Sequence, residues 1–194
     1  MAEPFAVTLH AVARAGSLIG KRVLVTGCGP IGALAIIAAR AHGAREIVAT
    51  DMMDAVLDKA LEVGADRVIN VAANPEQLQA YAANKGYFDM QFEASGNERA
   101  VRSGLDVLKP RSVLVQLGLG GDVAIPQNMV VAKEIEMKGT FRFHEEFALA
   151  VDLINHRRVD LKPLLTGVFP FEDAVAAFET AGDRTRSMKV QLSF

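Results

Sequence analysis

The chain has 194 residues, of which 51% are hydrophobic and 23% charged, and its formal net charge is −2. This balance is ordinary for a globular protein and offers no basic surface for nucleic acid. A single cysteine excludes an internal disulfide and a cysteine-rich zinc site within the chain. No apolar run approaches the roughly 18 residues of a membrane span, and no signal-peptide pattern is present. We therefore expect a cytoplasmic protein that binds neither nucleic acid nor a membrane.

Strand and helix patterns alternate along most of the chain. Apolar residues at helical spacing predict a first helix from Pro4 to Ala15, which Gly16 ends. Six strands are predicted, at Val23–Thr26, Glu46–Asp51, Arg67–Val71, Phe88–Glu93, Ser112–Leu117 and Glu134–Phe141. The helices between them run up to His42 and cover Ala55–Val63, Pro75–Asn84 and Asn97–Leu108. The alternation indicates an α/β protein with a doubly wound parallel sheet of six strands, in the Rossmann order 3-2-1-4-5-6.

A glycine-rich turn follows the first strand. Gly27, Gly29 and Gly32 have Gly-x-Gly-x-x-Gly spacing, and Asp51 ends the next strand nineteen residues later. In such a unit the first glycine makes the tight turn, the second leaves room for a pyrophosphate, and the third lets the helix pack closely. The N-terminus of the helix binds the phosphates, and Pro30 suits its first turn. The combination predicts a dinucleotide site.

Asp51 would accept hydrogen bonds from the hydroxyls of the adenosine ribose and would repel a 2′-phosphate. No Arg or Lys follows it before Lys59. NAD is therefore the favoured cofactor, and NADP is not excluded. Two alternatives stay open, a plain turn with a solvated aspartate and an S-adenosylmethionine methyltransferase. The methyltransferases share the glycine loop and the acidic strand end, but they usually lack the third glycine.

Ligands of doubly wound sheets bind beyond the carboxyl ends of the strands. The residues that directly follow the strands are Gly27, Asp51, Glu93–Gly96, Gly118–Gly120 and Thr140–Phe143. Glu93 either caps its strand or lines the cleft. Arg142 either meets a phosphate or a carboxylate substrate, or is solvated. Cys28 and the four histidines are interpreted as structural.

Five motifs are spread over the chain: Glu3-Pro4 before Leu9-His10-Ala11, Gly27 to Gly32, Phe92 to Gly96, Lys138 to Arg142, and Pro170 to Ala174. With them, essentially the whole chain resembles the cofactor-binding part of the zinc-type, medium-chain polyol dehydrogenases of the sorbitol dehydrogenase kind. The resemblance implies an oxidoreductase that transfers hydride from a secondary hydroxyl of a polyol or sugar acid to NAD(P). A zinc ion polarises the oxygen in that family.

The resemblance also implies roles for individual residues. Gly27, Gly29, Pro30, Ile31 and Gly32 would hold the pyrophosphate, and Asp51 the ribose. Leu117, Gly118 and Leu119, with Thr140, Phe141 and Arg142, would flank the nicotinamide half of the cofactor. Glu3 and Arg142 match positions that face the substrate near the zinc.

The zinc ligands of this family belong to an N-terminal catalytic domain. One cysteine and scattered histidines cannot supply the roughly four ligands that zinc needs, so we expect neither metal ligands nor catalytic residues here. The chain would bind dinucleotide without oxidising an alcohol on its own. The alternative is a stand-alone NAD-binding regulatory module.

The expected organisation is a linking helix (1–16), a dinucleotide-binding Rossmann domain (17–160) and a tail (161–194). In the tail, a helix is predicted at Pro170–Ala181 and a strand at Lys189–Phe194. We expect this tail to pack on the catalytic domain through exposed Leu and Phe residues. The sheet edge near Glu136 to Phe141 is expected to form a homodimer.

Overall fold

The structure is a computed structural model that describes residues 1–194. The helices are α1 (Ala2–Ala15), α2 (Pro30–Ala41), α3 (Asp54–Glu62), α4 (Pro75–Gln79), α5 (Glu98–Val107), α6 (Gln127–Ala132), α7 (Glu146–Asn155) and α8 (Ala174–Gly182). The strands are β1 (Arg22–Thr26), β2 (Glu46–Asp51), β3 (Arg67–Asn70), β4 (Phe88–Glu93), β5 (Leu108–Gln116), β6 (Glu136–Gly139), β7 (Leu165–Pro170) and β8 (Lys189–Ser193). Short 3₁₀ helices cover Ala80–Lys85, Lys162–Leu164 and Phe171–Asp173.

The first six strands form one parallel sheet in the order β3-β2-β1-β4-β5-β6. This order confirms the predicted doubly wound fold. The central strand β1 pairs with β2 and β4, and Val23, Leu24 and Val25 are fully buried. Burial on both faces explains why these strands are continuous apolar runs in the sequence. Because all six strands are parallel, their carboxyl ends lie along one edge of the sheet.

Helix α1 packs into the main hydrophobic core. Phe5, Leu9 and Val12 lie on one face of the helix and are buried in the same cluster as the residues of α2. The C-terminal end of α1 contacts the end of β6, where Nε of Arg14 donates a hydrogen bond to the carbonyl oxygen of Gly139 at 3.3 Å. The division of the chain at residues 16 and 160 stays a prediction.

Several predicted elements differ from the structure. The predicted helix at Pro75–Asn84 is α-helical only to Gln79. It continues as a 3₁₀ segment, whose backbone is not helical at Ala83 and Asn84. Strand β5 begins at Leu108 and runs through Pro110, which is exposed, and its register with β4 is irregular there. Pro is tolerated in a strand at such irregular positions. Helix α6 and strand β7 were not predicted.

The tail forms its own layer. Strands β7 and β8 pair in parallel as a separate two-stranded sheet, with α8 between them in sequence. Phe171, Phe178 and Phe194 are exposed, and the rings of Phe171 and Phe194 stack at 5.2 Å. Leu164, in contrast, is buried in the main core. The exposed apolar surface expected for the tail therefore consists of phenylalanines and valines, and Leu164 is not part of it.

None of the helices combines the length and the apolar character that crossing a membrane requires.

Candidate functional site

The glycine turn joins β1 to α2. Gly27 has φ +86°, and a Cβ on it would lie 2.8 Å from the backbone nitrogen of Ser95. A Cβ on Gly32 would overlap the carbonyl oxygen of Gly27. Gly27 is therefore required by its positive φ and by the nearby loop after β4, and Gly32 by the packing within the turn. Gly29 differs, because a Cβ there would meet only Nη2 of Arg184, at 3.7 Å.

Helix α2 begins directly after Gly29. Pro30 is its first residue, and no side chain caps the helix. The amide groups of a first helical turn have no partners within the helix, and together with the helix dipole they attract an anion. The open space at Gly29 is adjacent to these amides. The turn can therefore hold a phosphate group.

Asp51 lies beside this turn, at the end of β2. Its Oδ2 accepts a hydrogen bond from the backbone N–H of Cys28 at 2.7 Å, and its Oδ1 accepts from the N–H of Met52, also at 2.7 Å. The structure thus brings together Asp51 and the glycine turn, as the sequence predicted. A carboxylate offers about four acceptor positions, so Asp51 can accept further hydrogen bonds from a ligand.

Cys28 is buried within the turn. Its Sγ donates a weak hydrogen bond to the carbonyl oxygen of Thr50 at 3.5 Å. Burial, and next to it the negative charge of Asp51, raise the pKa of the Cys28 thiol far above its ordinary value. Since the thiolate is the reactive form, this side chain fills space and carries no chemistry.

Glu93 is fully buried at the end of β4. Its Oε1 accepts from the N–H of Ser95 at 2.9 Å, and its Oε2 accepts from the N–H of Gly96 at 2.9 Å. The side chains of Ser95 and Gln116 also donate to it. Of the two roles left open by the sequence, the structure shows the cap. Glu93 shapes the loop against which Gly27 packs.

The loop after β5 follows the same edge of the sheet. The N–H groups of Leu117 and Gly118 both donate to the carbonyl oxygen of Glu93 at 2.8 Å. A Cβ on Gly118 would overlap the backbone of Gly96, whereas Leu119 is 82% exposed. A cavity of about 410 Å³ lies between this loop and β6. It is lined by Gly96, Gln116, Gly118–Gly121, Val123, Ile125 and Met137–Gly139.

Thr140, Phe141 and Arg142 follow β6. The N–H of Thr140 donates to the carbonyl oxygen of Gln116 at 3.1 Å, and its buried hydroxyl has no hydrogen-bond partner. Phe141 is exposed, and the guanidinium of Arg142 lies 5.3 Å from the centre of its ring.

Glu3 and Arg142 are both exposed, and neither an ion pair nor a hydrogen bond joins them. Their assignment to the substrate side stays a prediction. No group of three or more His, Cys, Asp or Glu residues in the chain could hold a metal ion.

Arg184 is the residue of this site that the sequence analysis missed. It lies after α8, in the tail, and its guanidinium approaches Gly29. It also lines a cavity of about 80 Å³ together with Lys59 and Arg186. An arginine beside an amide-rich turn suits a pyrophosphate. No local pattern relates a residue of the tail to the glycine turn, so only the fold reveals this pairing.

A family model described as zinc-binding dehydrogenase matches residues 30–156. The chain belongs to this family. Membership of the zinc-binding dehydrogenases makes the chain part of an oxidoreductase family and decides against the methyltransferase alternative. The match includes α2, Asp51 and the loops after β4, β5 and β6, whereas Gly27, Gly29 and Arg184 lie outside the matched residues.

Two relatives are similar to this chain over most of its length. L-idonate 5-dehydrogenase (NAD(P)(+)) of Escherichia coli K12 is 42% identical over 194 residues, which are 100% of this chain and 56% of that protein. Sorbitol dehydrogenase of Ovis aries is 35% identical over 185 residues, which are 92% of this chain and 52% of that protein. The chain therefore spans about half the length of these relatives.

Solved structures show the same similarity. The crystal structure of L-idonate 5-dehydrogenase from E. coli K-12 matches with a TM-score of 0.94 at 42% identity, over 100% of this chain and 56% of that one. The structure of 2R,3R-butanediol dehydrogenase from Bacillus subtilis matches with a TM-score of 0.91 at 26% identity, again over 100% and 56%. These matches agree with the Rossmann fold and with its tail.

Proposed function

We propose that the chain is the dinucleotide-binding portion of a zinc-dependent dehydrogenase that oxidises L-idonate to 5-keto-D-gluconate with NAD. In this reaction the carbinol carbon gives a hydride to the nicotinamide, and the hydroxyl gives its proton to a base or to solvent. The observation that carries the proposal is the open position at Gly29, which Arg184 approaches, in the turn whose Cys28 N–H donates to Asp51.

The cofactor would be held by groups that the chain already places together. The first-turn amides of α2 would bind the pyrophosphate, and Arg184 would neutralise its charge. Asp51 would accept hydrogen bonds from the adenosine ribose. Thr140, with its unpartnered hydroxyl, would lie on the nicotinamide side.

Asp51 also supports the preference for NAD. A carboxylate at the ribose would repel the 2′-phosphate of NADP. Lys59 and Arg186 line the nearby smaller cavity, and the E. coli relative is named for both NAD and NADP. We therefore propose NAD as the better cofactor and NADP as a weaker one.

L-idonate is proposed as the substrate on the similarity to the E. coli enzyme, and sorbitol is the alternative on the similarity to the Ovis aries enzyme. Glu3 and Arg142 are the proposed substrate-side residues of this chain. Because no metal-ligand group is present here, zinc would be held by residues that correspond to the part of the relatives outside this match. The structure assigns no step to a metal.

The first experiment is a fluorescence titration of the 194-residue chain with NADH. We expect a dissociation constant on the order of micromolar, lost in Asp51→Ala and retained in Asp58→Ala, which changes an exposed aspartate of α3. Failure of the unmodified chain to bind NADH would overturn the proposal.

A second experiment separates binding from catalysis. The 194-residue chain with NAD and added zinc is expected not to oxidise L-idonate, whereas an enzyme that also contains the family's zinc site should do so. Turnover by the chain alone would contradict the division of roles. A stand-alone NAD-binding module is the competing function, and the exposed Phe171, Phe178 and Phe194 favour a chain that packs against another domain.

We also propose that the protein forms a homodimer through β6. This strand is the last of the sheet and pairs only with β5, so its outer edge has unpaired backbone groups. Such an edge invites a second strand. Light scattering should give twice the chain mass, and a monomer would refute the dimer.

A further inference from the structure

A part-buried polar contact joins the first helix to the helix after the sheet. On α1, Nδ1 of His10 lies 2.9 Å from Oε1 of Glu146, the first residue of α7. Only 14% of the His10 side chain and 12% of the Glu146 side chain are exposed. The ring of His144 contacts the ring of His10 edge to face, at 5.1 Å. We call this contact the His10–Glu146 clasp.

The protons of the clasp can be assigned from its partners. Burial alone would raise the pKa of Glu146, but the hydrogen bonds from His10 and from the N–H of His144 outweigh it and lower the pKa overall. Glu146 is therefore ionised at neutral pH. Since an ionised carboxylate only accepts hydrogen bonds, Nδ1 of His10 must be the donor.

Glu146 connects the clasp to the loop that follows β6. Its second oxygen, Oε2, accepts a hydrogen bond from the N–H of His144 at 2.8 Å. The other end of the loop is tied by the N–H of Thr140, which donates to Gln116. The loop is thus held at both ends. Between them Phe141 and Arg142 are exposed, whereas Phe143 packs against the main core and stacks on Phe147 at 5.7 Å.

Arg142, in the middle of the loop, shows why such anchors matter. It has φ +56°, in the left-handed region that residues other than glycine rarely adopt. A backbone conformation of this kind persists only where the surrounding structure imposes it. The bonds at Thr140 and His144, together with the packing of Phe143, hold the backbone on both sides of Arg142, and His10 contacts the carboxylate that makes the second bond.

We propose that His10 is a positioning residue: through Glu146 it holds the Thr140–His144 loop in the conformation that receives the nicotinamide half of the dinucleotide. The inference rests on the proposed function, because that function places the nicotinamide beside Thr140 and Phe141. His10 itself does not touch the reacting atoms. If His10 had only a structural role, the clasp would join α1 to α7 without affecting the binding of the nicotinamide half.

The test compares two ligands of the 194-residue chain by calorimetry. NADH carries the nicotinamide, whereas ADP-ribose contains the adenosine, the pyrophosphate and the second ribose without it. In His10→Leu, we expect the affinity for NADH to fall about tenfold, which fits the loss of a charge-assisted hydrogen bond. The affinity for ADP-ribose should stay within about twofold.

Three further variants sharpen the comparison. His10→Asn keeps an N–H close to the position of Nδ1 and should restore most of the NADH affinity. Glu146→Gln accepts hydrogen bonds from His10 and from the N–H of His144 less strongly, so it should show the same selective loss of NADH affinity as His10→Leu. It replaces His10→Leu in the test if that variant does not fold. His156→Leu is the matched control, because His156 pairs with Asp152 on the exposed far end of α7.

Each outcome decides a different question. Equal losses for NADH and ADP-ribose, or no loss for either, would overturn the positioning role while leaving the dinucleotide site intact. If the unmodified chain bound neither ligand, the proposed function would fail and the inference with it. A selective loss for NADH that His10→Asn reverses supports the inference.

Discussion

The carboxylate of Asp51 accepts a hydrogen bond from the backbone N–H of Cys28 at 2.7 Å, so the acid that ends β2 is tied to the turn that ends β1. The two strands pair in parallel, with Thr26 opposite Thr50, and their carboxyl ends therefore lie side by side. Asp51 consequently stabilises the turn that contains the open position at Gly29. Replacement of Asp51 therefore affects both folding and binding, and a variant is needed that changes the charge while it keeps the hydrogen bond from Cys28.

Replacing Asp51 by Asn keeps an oxygen for the N–H of Cys28 and removes the negative charge. We expect the affinity for NADPH relative to NADH to rise about tenfold. Repulsion between two charges about 4 Å apart is worth roughly 1 to 4 kcal/mol near a protein surface, and tenfold corresponds to about 1.4 kcal/mol. Fluorescence titrations with both nucleotides measure the ratio, with Asp58→Asn as the control. An unchanged ratio would mean that Asp51 does not face the 2′ position.

The two glycines that flank the start of α2 are expected to respond differently to the same change. Gly32→Ala forces a Cβ onto the carbonyl oxygen of Gly27, so it should lower stability by about 1 to 3 kcal/mol. Gly29→Ala finds space, so its melting temperature should stay close to that of the unmodified chain while NADH affinity falls. Thermal melts and NADH titrations of both variants check this. A stable Gly32→Ala variant, or an unaffected affinity in Gly29→Ala, would contradict the assignment.

Asp89 makes stability depend on pH. Burial raises its pKa, but the hydrogen bonds from Nζ of Lys109 and from the N–H of Arg22, both at 2.8 Å, lower it overall. A carboxyl whose pKa is lower in the folded state stabilises the fold above its unfolded pKa, and this contribution is lost as the pH falls through the folded pKa.

Asp89→Asn should therefore be less stable than the unmodified chain at pH 7, by about 1 kcal/mol for the weakened hydrogen bonds. The difference should shrink below about pH 4, where an ordinary aspartate is protonated. Urea unfolding at pH 7, 5 and 3 tests the trend, with the exposed Asp122→Asn as the control. A difference that grows toward low pH would show the opposite sign.

Cys28 should be unreactive in the folded protein because its thiol is buried and its pKa is raised. With a disulfide reagent at pH 8, we expect no reaction over minutes in buffer and one reactive thiol per chain in urea. Cys28→Ala should retain NADH binding, since the main-chain N–H that meets Asp51 is still present. Rapid labelling of the native chain would show that the turn opens.

Local patterns predicted much of the sheet. Strand β4 was predicted as Phe88–Glu93, with the bounds that the structure has. The strand order was also predicted correctly, because parallel strands joined by helices admit few topologies. The turn at Gly27 to Gly32 could be predicted from its spacing, since the positive φ of Gly27 and the contact between Gly27 and Gly32 involve only a few consecutive residues, whereas the packing of Gly27 against Ser95 was not predicted.

Other features escaped the sequence because they depend on distant partners. Strand β7 contains Gly167 and ends at Pro170, so its sequence resembles a loop, and only its pairing with β8 shows that it is a strand. Glu93 could not be assigned to a cap before its donors at Ser95, Gly96 and Gln116 were placed. Nothing near Arg184 indicated that it would approach Gly29.

By itself, the sequence determined most of the strands and helices, though not α6 and β7. It also determined that the sheet is parallel and that a glycine turn and an acid close adjacent strands. These properties follow from apolar spacing and backbone geometry over short stretches of chain. Only the tertiary structure decided that Arg184 approaches the glycine turn and that His10 pairs with Glu146. Contacts of this kind join segments far apart in the chain, and their formation depends on how whole elements pack, which no local pattern encodes.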